Sequence, residues 1–263
     1  MTHTDIKPSD YHSKLGCKRE NIFADDSYLS KSVLWELNES SLYKWRFYPK
    51  KITPTPAMAW GSLVDCLTTT PELAETEIVI SPFDSYRTKE AKEWKEANRY
   101  KTITTFDELE AAKQAAKMLT ETHKLSADIF AKSKGQAMVM GKILGCNVKG
   151  LIDLAPEGED YLADLKTTGD FSERGFQTTM AKFGYAVQGS LYLSLWNAMY
   201  PNDERERFKL IWQDREPPYE VAVTEIHRDD LDAGSEMFLF LLEKLVKAAK
   251  EDVWPMKFEQ EIT

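Results

Sequence analysis

The feature that most limits how this chain can fold is the run from Phe183 to Asn202, which carries no charged residue in a 263-residue sequence that is 29% charged. Its length would suit a membrane span. However, Gly184, Gln188, Gly189, Ser190, Ser194, Asn197 and Pro201 interrupt it, and Tyr185, Tyr192, Trp196 and Tyr200 add polar handles. Such a segment is expected to be a helix buried at the centre of a globular core, with other elements packed around it. A chain of this length can bury that core within one domain.

The flanking patterns supply those elements. Helical spacing is read over residues 30–37, with Val33, Leu34 and Leu37 on one stripe, and over 58–68, stopped before Pro71. A further amphipathic helix is expected over 106–123, with Leu109, Ala112, Ala116 and Leu119 inward. Residues 77–80 read as a short strand. The second half changes character. Strands are expected over 136–141, 145–155, 160–166, 207–214 and 219–226, with helices over 182–199 and 229–250. The order is helices, then β-β-β-α-β-β-α, which defines an α/β (α+β mixed) fold with a central mixed sheet. One domain is expected over 1–263. Residues 1–130 form its mostly helical part and 131–263 its sheet core.

Composition removes several function classes. The net charge is −9, so this is no polycation that coats nucleic acid, although a local basic channel is compatible with it. Cys17, Cys66 and Cys146 form no CxxC pair, so no disulfide framework, zinc site or iron–sulfur cluster is expected, and a reducing compartment fits. His3, His12, His123 and His227 are scattered, and there is no phosphate-binding GxxxxGK[ST] loop. The N-terminal MTHTDIKPSD lacks a signal pattern. A cytoplasmic protein with no membrane association is expected.

Chemistry concentrates in the hairpin from Asn147 to Lys166. Residues two apart on a strand share a face, so Asn147, Lys149, Leu151 and Asp153 lie together. Leu162, Asp164 and Lys166 share a face of the return strand, while Tyr161, Ala163 and Leu165 face the core. With the turn at Gly158-Glu159, Asp153 falls opposite Asp164. Two carboxylates so placed repel, and a divalent cation such as Mg²⁺ or Mn²⁺ would relieve them through hard oxygen ligands. Two acids and a lysine around a metal are the parts needed to hydrolyse a phosphodiester. The same spacing would also suit a solvated charged hairpin. On the following helix Tyr185, Gln188 and Tyr192 share a face at i, i+3 and i+7. A glutamine within an aromatic stripe needs a partner if it is buried.

Asp153-x10-Asp164-Leu-Lys166 followed by Tyr185-x2-Gln188-x3-Tyr192 resembles the RecB-type branch of the PD-(D/E)XK nuclease superfamily. The run GLIDL…YLADLKTTGDFS is most similar to RecE (exonuclease VIII)-like exonucleases of phages and prophages. Tyr11-His12, YLSKSVLWELNESSLYKWR and MAWGSLVDCL are similar to that family's N-terminal segments. The resemblance implies a restriction-endonuclease-like core. Asp153 and Asp164 would be metal ligands with the Leu165 carbonyl as a third, and Lys166 the catalytic lysine. Gln188 would support the metal or the DNA backbone beside Tyr185 and Tyr192; Lys149, within the acid-free run of lysines over residues 131–152, is a candidate DNA-facing residue on its charge alone.

It further implies an exodeoxyribonuclease that uses Mg²⁺, with Mn²⁺ as a substitute, and degrades one strand of linear double-stranded DNA 5′→3′ to leave 3′ tails for recombination. The implied partners are duplex DNA ends and a single-strand-annealing protein of the RecT or Redβ type. A ring-shaped homotrimer or homotetramer in the cytoplasm of a bacterial host is also implied. Two positions depart from the pattern. Asp65 stands where relatives have histidine and is expected to ligate the metal in its place. Gln136 stands where many have glutamate and would be a poor ligand. Charge is asymmetric: residues 131–152 hold four lysines and no acid, whereas residues 203–261 hold 16 acids against 9 bases. The lysine-rich stretch 87–101 is a further candidate DNA-facing surface.

Overall fold

The computed structural model describes Tyr11 and residues 14–50 and 54–258. The expectations for His3 and His12 lie outside the described residues. Strand β1 (Tyr28–Ser30) leads directly into helix α1 (Lys31–Glu39), with Ser30 as its cap, and α2 (Leu42–Phe47) follows behind a Ser41 cap. Helix α3 (Pro56–Thr69) starts with a Thr55 cap and Pro56 in its first turn. A small parallel pair, β2 (Ile78–Ile80) and β3 (Thr102–Thr104), brackets the charged helix α4 (Lys89–Ala97). Helix α5 (Phe106–Lys117) opens on a Thr105–Glu108 capping box and runs through one wide turn towards α6 (Lys124–Lys132).

The remaining elements are β4 (Ala137–Ile143), β5 (Cys146–Ile152), β6 (Tyr161–Thr168), α7 (Glu173–Phe183), α8 (Tyr185–Met199), β7 (Arg207–Asp214), β8 (Val221–Glu225) and α9 (Arg228–Glu251). This is the expected mixed α/β architecture, with two adjustments. The helix read over 182–199 begins at Tyr185, because Gly184 adopts a left-handed conformation with φ 60° and separates α7 from α8. The central sheet is also not continuous.

Strands β1, β5 and β4 form one sheet, with β1 parallel and β4 antiparallel to β5. Strands β6, β7 and β8 form another, with β6 parallel to β7. The expected β5–β6 hairpin survives as a single bridge, Leu154 to Ala163, with N–H···O distances of 3.1 and 2.9 Å. That bridge has the predicted register. An antiparallel ladder would next join Ile152 to Leu165. Instead the Leu165 N–H donates to the Asp153 carboxylate at 2.9 Å. A side-chain oxygen takes the ladder's bond, and the strands part at the acids.

Both faces of the β6–β7 sheet are covered. Leu162, Phe208, Leu210 and Trp212 pack with α8, α9 and α1 in the larger core. Tyr161, Ala163, Leu165 and Ile211 pack with α3, α5 and α6 in the smaller one. Helix α8 is buried around most of its circumference, as its uncharged sequence requires. Among the described residues no helix is long and apolar enough to cross a membrane. Close approach at Gly189 seats α8: a Cβ there would lie 2.9 Å from the Phe208 ring and 3.1 Å from Leu231. Gly189→Val therefore overpacks the core and is expected to cost about 1–3 kcal/mol. A denaturant midpoint unchanged from wild type would contradict this packing.

Candidate active site

The acids gather where β5 and β6 separate. Asp153 follows the last residue of β5, Asp164 and Lys166 lie on β6, and Asp65 reaches them from α3. Asp164 is only 2% exposed. Its Oδ1 accepts from the Gln188 amide at 2.6 Å, and its Oδ2 pairs with the Lys166 ammonium. The glutamine placed in an aromatic stripe by the sequence thus has its partner. The Tyr185 ring covers Lys166, with the ammonium 4.5 Å from the ring centroid. Asp65 accepts from the Thr69 hydroxyl at 3.0 Å and from the Gln136 amide at 2.9 Å. The two positions that depart from the resembled pattern are therefore bonded to each other, and Gln136 acts as a donor to Asp65.

The electrostatics follow from burial and crowding. Burial, then the charges of Asp164 and Asp65, push the Asp153 carboxyl well above the ordinary carboxylate range. Asp65 is pushed up to about 6, chiefly by burial, with the Thr69 hydrogen bond opposing and Asp164 adding to the rise. Burial works against the Lys166 ammonium, but Asp164, then Tyr185 and Asp153, outweigh it and hold its pKa above the usual lysine value. The lysine and the raised proton affinities of the acids both offset the crowding of negative charge here.

An all-oxygen donor set of this kind suits a hard divalent cation. The Asp164 Oδ2 is buried and has the Lys166 ammonium as its partner, so a cation there would share that oxygen with the lysine. Among the described residues no three His, Cys, Asp or Glu side chains come close enough to enclose an ion. A cation would therefore rest on Asp153 and Asp164, with backbone and water completing its shell. Two cavities open onto these residues. One, of about 370 Å³, is bounded by α3, Lys166 and Tyr185. The other, of about 520 Å³, is bounded by α1, Lys149 and Gln188. Asp65, Asp153 and Lys166 line both.

Two acids and a lysine at the splayed ends of adjacent strands agree with the comparison by sequence family. Residues 31–261 match the family described as PDDEXK-like domain of unknown function (DUF3799). The chain belongs to this PDDEXK-like family. It shares its fold with a crystal structure described as a "putative exonuclease" from Eubacterium rectale, with a TM-score of 0.67 at 12% identity, covering 98% of this chain and 96% of that one. A second structure, described as SSO0001, overlaps 75% of this chain and 89% of its own at 15% identity, with a TM-score of 0.32. No curated protein matches the sequence significantly.

Within this PDDEXK-like chain the structure brings together Asp65, Asp153, Asp164, Leu165, Lys166, Tyr185 and Gln188. Two residues expected to face DNA are buried in the wall of the larger cavity. Lys149 is 5% exposed, with its ammonium donating to the Tyr11 carbonyl and lying 3.6 Å from the Tyr11 ring centroid. Tyr192 is a core ring packed against Phe208, closely approaching Gly150, and it presents only an edge to the larger cavity. The lysines of residues 87–101 line neither cavity; Lys89 pairs with Glu93, and Lys95 covers Tyr86. Sequence reasoning did not single out Lys31 or Thr69. Neither belongs to a spacing pattern, and long-range folding places both.

The raised acids give a pH signature. Asp65 binds its proton more tightly in the folded chain than in the unfolded one. Its favourable contribution is complete below about pH 4 and is lost as pH rises through about 6. Asp153 acts in the same direction. In EDTA, Asp65→Asn is expected to melt at a higher temperature than wild type at pH 8, with the advantage shrinking towards pH 4. An advantage that does not depend on pH would refute the raised value.

Proposed function

We propose that this PDDEXK-like chain is a divalent-metal-dependent deoxyribonuclease, and that it works as an exonuclease degrading one strand of linear duplex DNA in the 5′→3′ direction. The observation that carries the hydrolytic part is Asp164, a buried carboxylate held by Gln188 on one oxygen and by Lys166 on the other, beside an Asp153 that is hydrogen-bonded to the backbone between them. The exonuclease part is supported by the sequence resemblance and by the structural neighbour described as a putative exonuclease.

Each residue has a task. Asp153 and Asp164 would hold Mg²⁺, or Mn²⁺ in its place. When bound, that ion supplies Lewis acidity towards the phosphate and lowers the pKa of water. Gln188 fixes the orientation of Asp164, and the Leu165 N–H fixes that of Asp153. Lys166, paired with Asp164 beside the site, would orient the attacking water or stabilise the developing negative charge on the phosphate. Tyr185 confines the lysine to one side of the centre. Asp65, backed by Thr69 and Gln136, adds negative charge that favours a hard cation. The proposal includes product 3′ tails handed to a single-strand-annealing partner, and a ring-shaped homo-oligomer that turns its acidic faces outward.

Lys166→Ala should leave the fold intact, because the side chain contributes little to the cores. It should lower DNA hydrolysis by about 10²–10³ or more, as expected for loss of a transition-state stabilising group. Turnover is measured on linear duplexes labelled at either the 5′ or the 3′ end, and on closed circles, with Mg²⁺ and with EDTA. Early release of the 5′ label, intact circles and no reaction in EDTA are expected. Cleavage of circles would point to an endonuclease on the same core, and wild-type turnover by Lys166→Ala would remove the site assignment.

A further inference from the structure

Lys31 is the first residue of α1 and is 8% exposed. Its ammonium donates to the Phe183 carbonyl and lies 5.5 Å from the Trp35 ring centroid and 5.6 Å from that of Tyr185. Among the described residues it has no ion-pair partner; the nearby Asp164 is paired with Lys166 instead. An ammonium carries three donors, and among the described residues one acceptor, the Phe183 carbonyl, meets them. Burial without a counter-ion is costly unless a ligand completes the site. A lysine needed only for its aliphatic bulk would not require that cost.

The unsatisfied end faces a defined space. Lys31 lines the cavity of about 520 Å³ together with Ser30 and Ser32, and Asp153, Asp164 and Lys166 line the same cavity. The groups that face it electrostatically are Lys166, Asp164 and the Tyr185 hydroxyl-bearing ring. Burial first, and the Lys166 charge second, lower the Lys31 pKa to about 7, with Asp164 opposing. The amino end of α1, which begins at Lys31, adds a positive potential on the same side. The Lys31 ammonium and the amino end of α1 both favour an anion on this side of the cavity.

We infer that Lys31 forms a phosphate-oxygen subsite in this cavity and holds a backbone phosphate of the nucleic-acid strand next to the one that is cut. The sites of cutting and holding then share one ring, since Tyr185 lies against both Lys166 and Lys31. This assignment rests on the nuclease proposal for its choice of strand phosphate, but not for the existence of the anion subsite.

The test uses the full chain in EDTA, so that no hydrolysis occurs. The Lys31 ¹³Cε resonance, assigned with Lys31→Met, is followed through a pH titration, alone, with a six-nucleotide single strand, and with inorganic phosphate. The single strand should raise the midpoint by about one pH unit or more, because an opposite charge favours the ammonium. Lys31→Met, confirmed as folded by its melting curve, should bind the strand roughly tenfold more weakly at low salt. Its log–log salt slope should be smaller by about 0.7, one phosphate contact on a single strand, and Lys31→Arg should restore that slope. An unmoved midpoint together with an unchanged salt slope would overturn the subsite. A shift caused by inorganic phosphate but not by the strand would overturn its assignment to nucleic acid. Mg²⁺-dependent hydrolysis by wild type is scored separately. If wild type hydrolyses DNA while Lys31 does not respond, only the subsite fails. If the strand moves Lys31 but nothing is hydrolysed, only the nuclease proposal fails.

Discussion

One hydrogen bond organises the centre of this protein: the Leu165 N–H donates to the Asp153 carboxylate where a β-ladder would have continued. It ends the pairing of β5 with β6 after a single bridge. Because the strands part there, β5 turns to β1 and β4, while β6 pairs with β7. The gap created between the two sheets is where Asp153, Asp164 and Lys166 meet and where both cavities open. A fully paired hairpin would have closed that gap and left two carboxylates facing each other across a ladder. The acid that ends the pairing is the same acid that the proposed chemistry uses.

Everything around the gap manages charge. Three carboxylates and two lysines are drawn out of water by helices that the sequence needed for its core, above all the uncharged α8. Gln188 reaches the centre from a helix otherwise devoted to packing. Crowding and burial raise the proton affinities of Asp65 and Asp153, and Lys166 pairs with Asp164. A cation bound as proposed would relieve the same repulsion. A globally acidic chain can handle a polyanion only if its positive groups are placed locally. Lys166 and Lys31 meet that condition inside the cleft.

Much of this was legible in the sequence because strand alternation and helix spacing are local. The division of β6 residues between its two faces, the register of the single bridge, and the Tyr185–Gln188–Tyr192 stripe follow from periods of two and 3.6. The pairing of Asp65 with Gln136 was not legible, since 70 intervening residues give no spacing rule. The parting of the strands was also hidden. Alternation identifies which residues share a face, but not whether a side chain will displace a backbone acceptor. Lys149 shows the same limit: its face was read correctly, yet Tyr11, far away in the chain, covers it. Short elements such as β1 and α7 escaped for a related reason, since three strand residues or a polar helix carry too little pattern to stand out.

Burial and crowding raise the proton affinities of two carboxyls that the proposed cation would share. Aspartate-selective ¹³C labelling, with the carboxyl resonances followed from pH 3 to 9 in EDTA, tests this directly. Two resonances should titrate above the ordinary aspartate range, one near pH 6 and lost in Asp65→Asn, the other lost in Asp153→Asn, and saturating Mg²⁺ should move both midpoints down. If every aspartate titrated near its ordinary value of about 4, with no response to Mg²⁺, the account of this centre would be wrong.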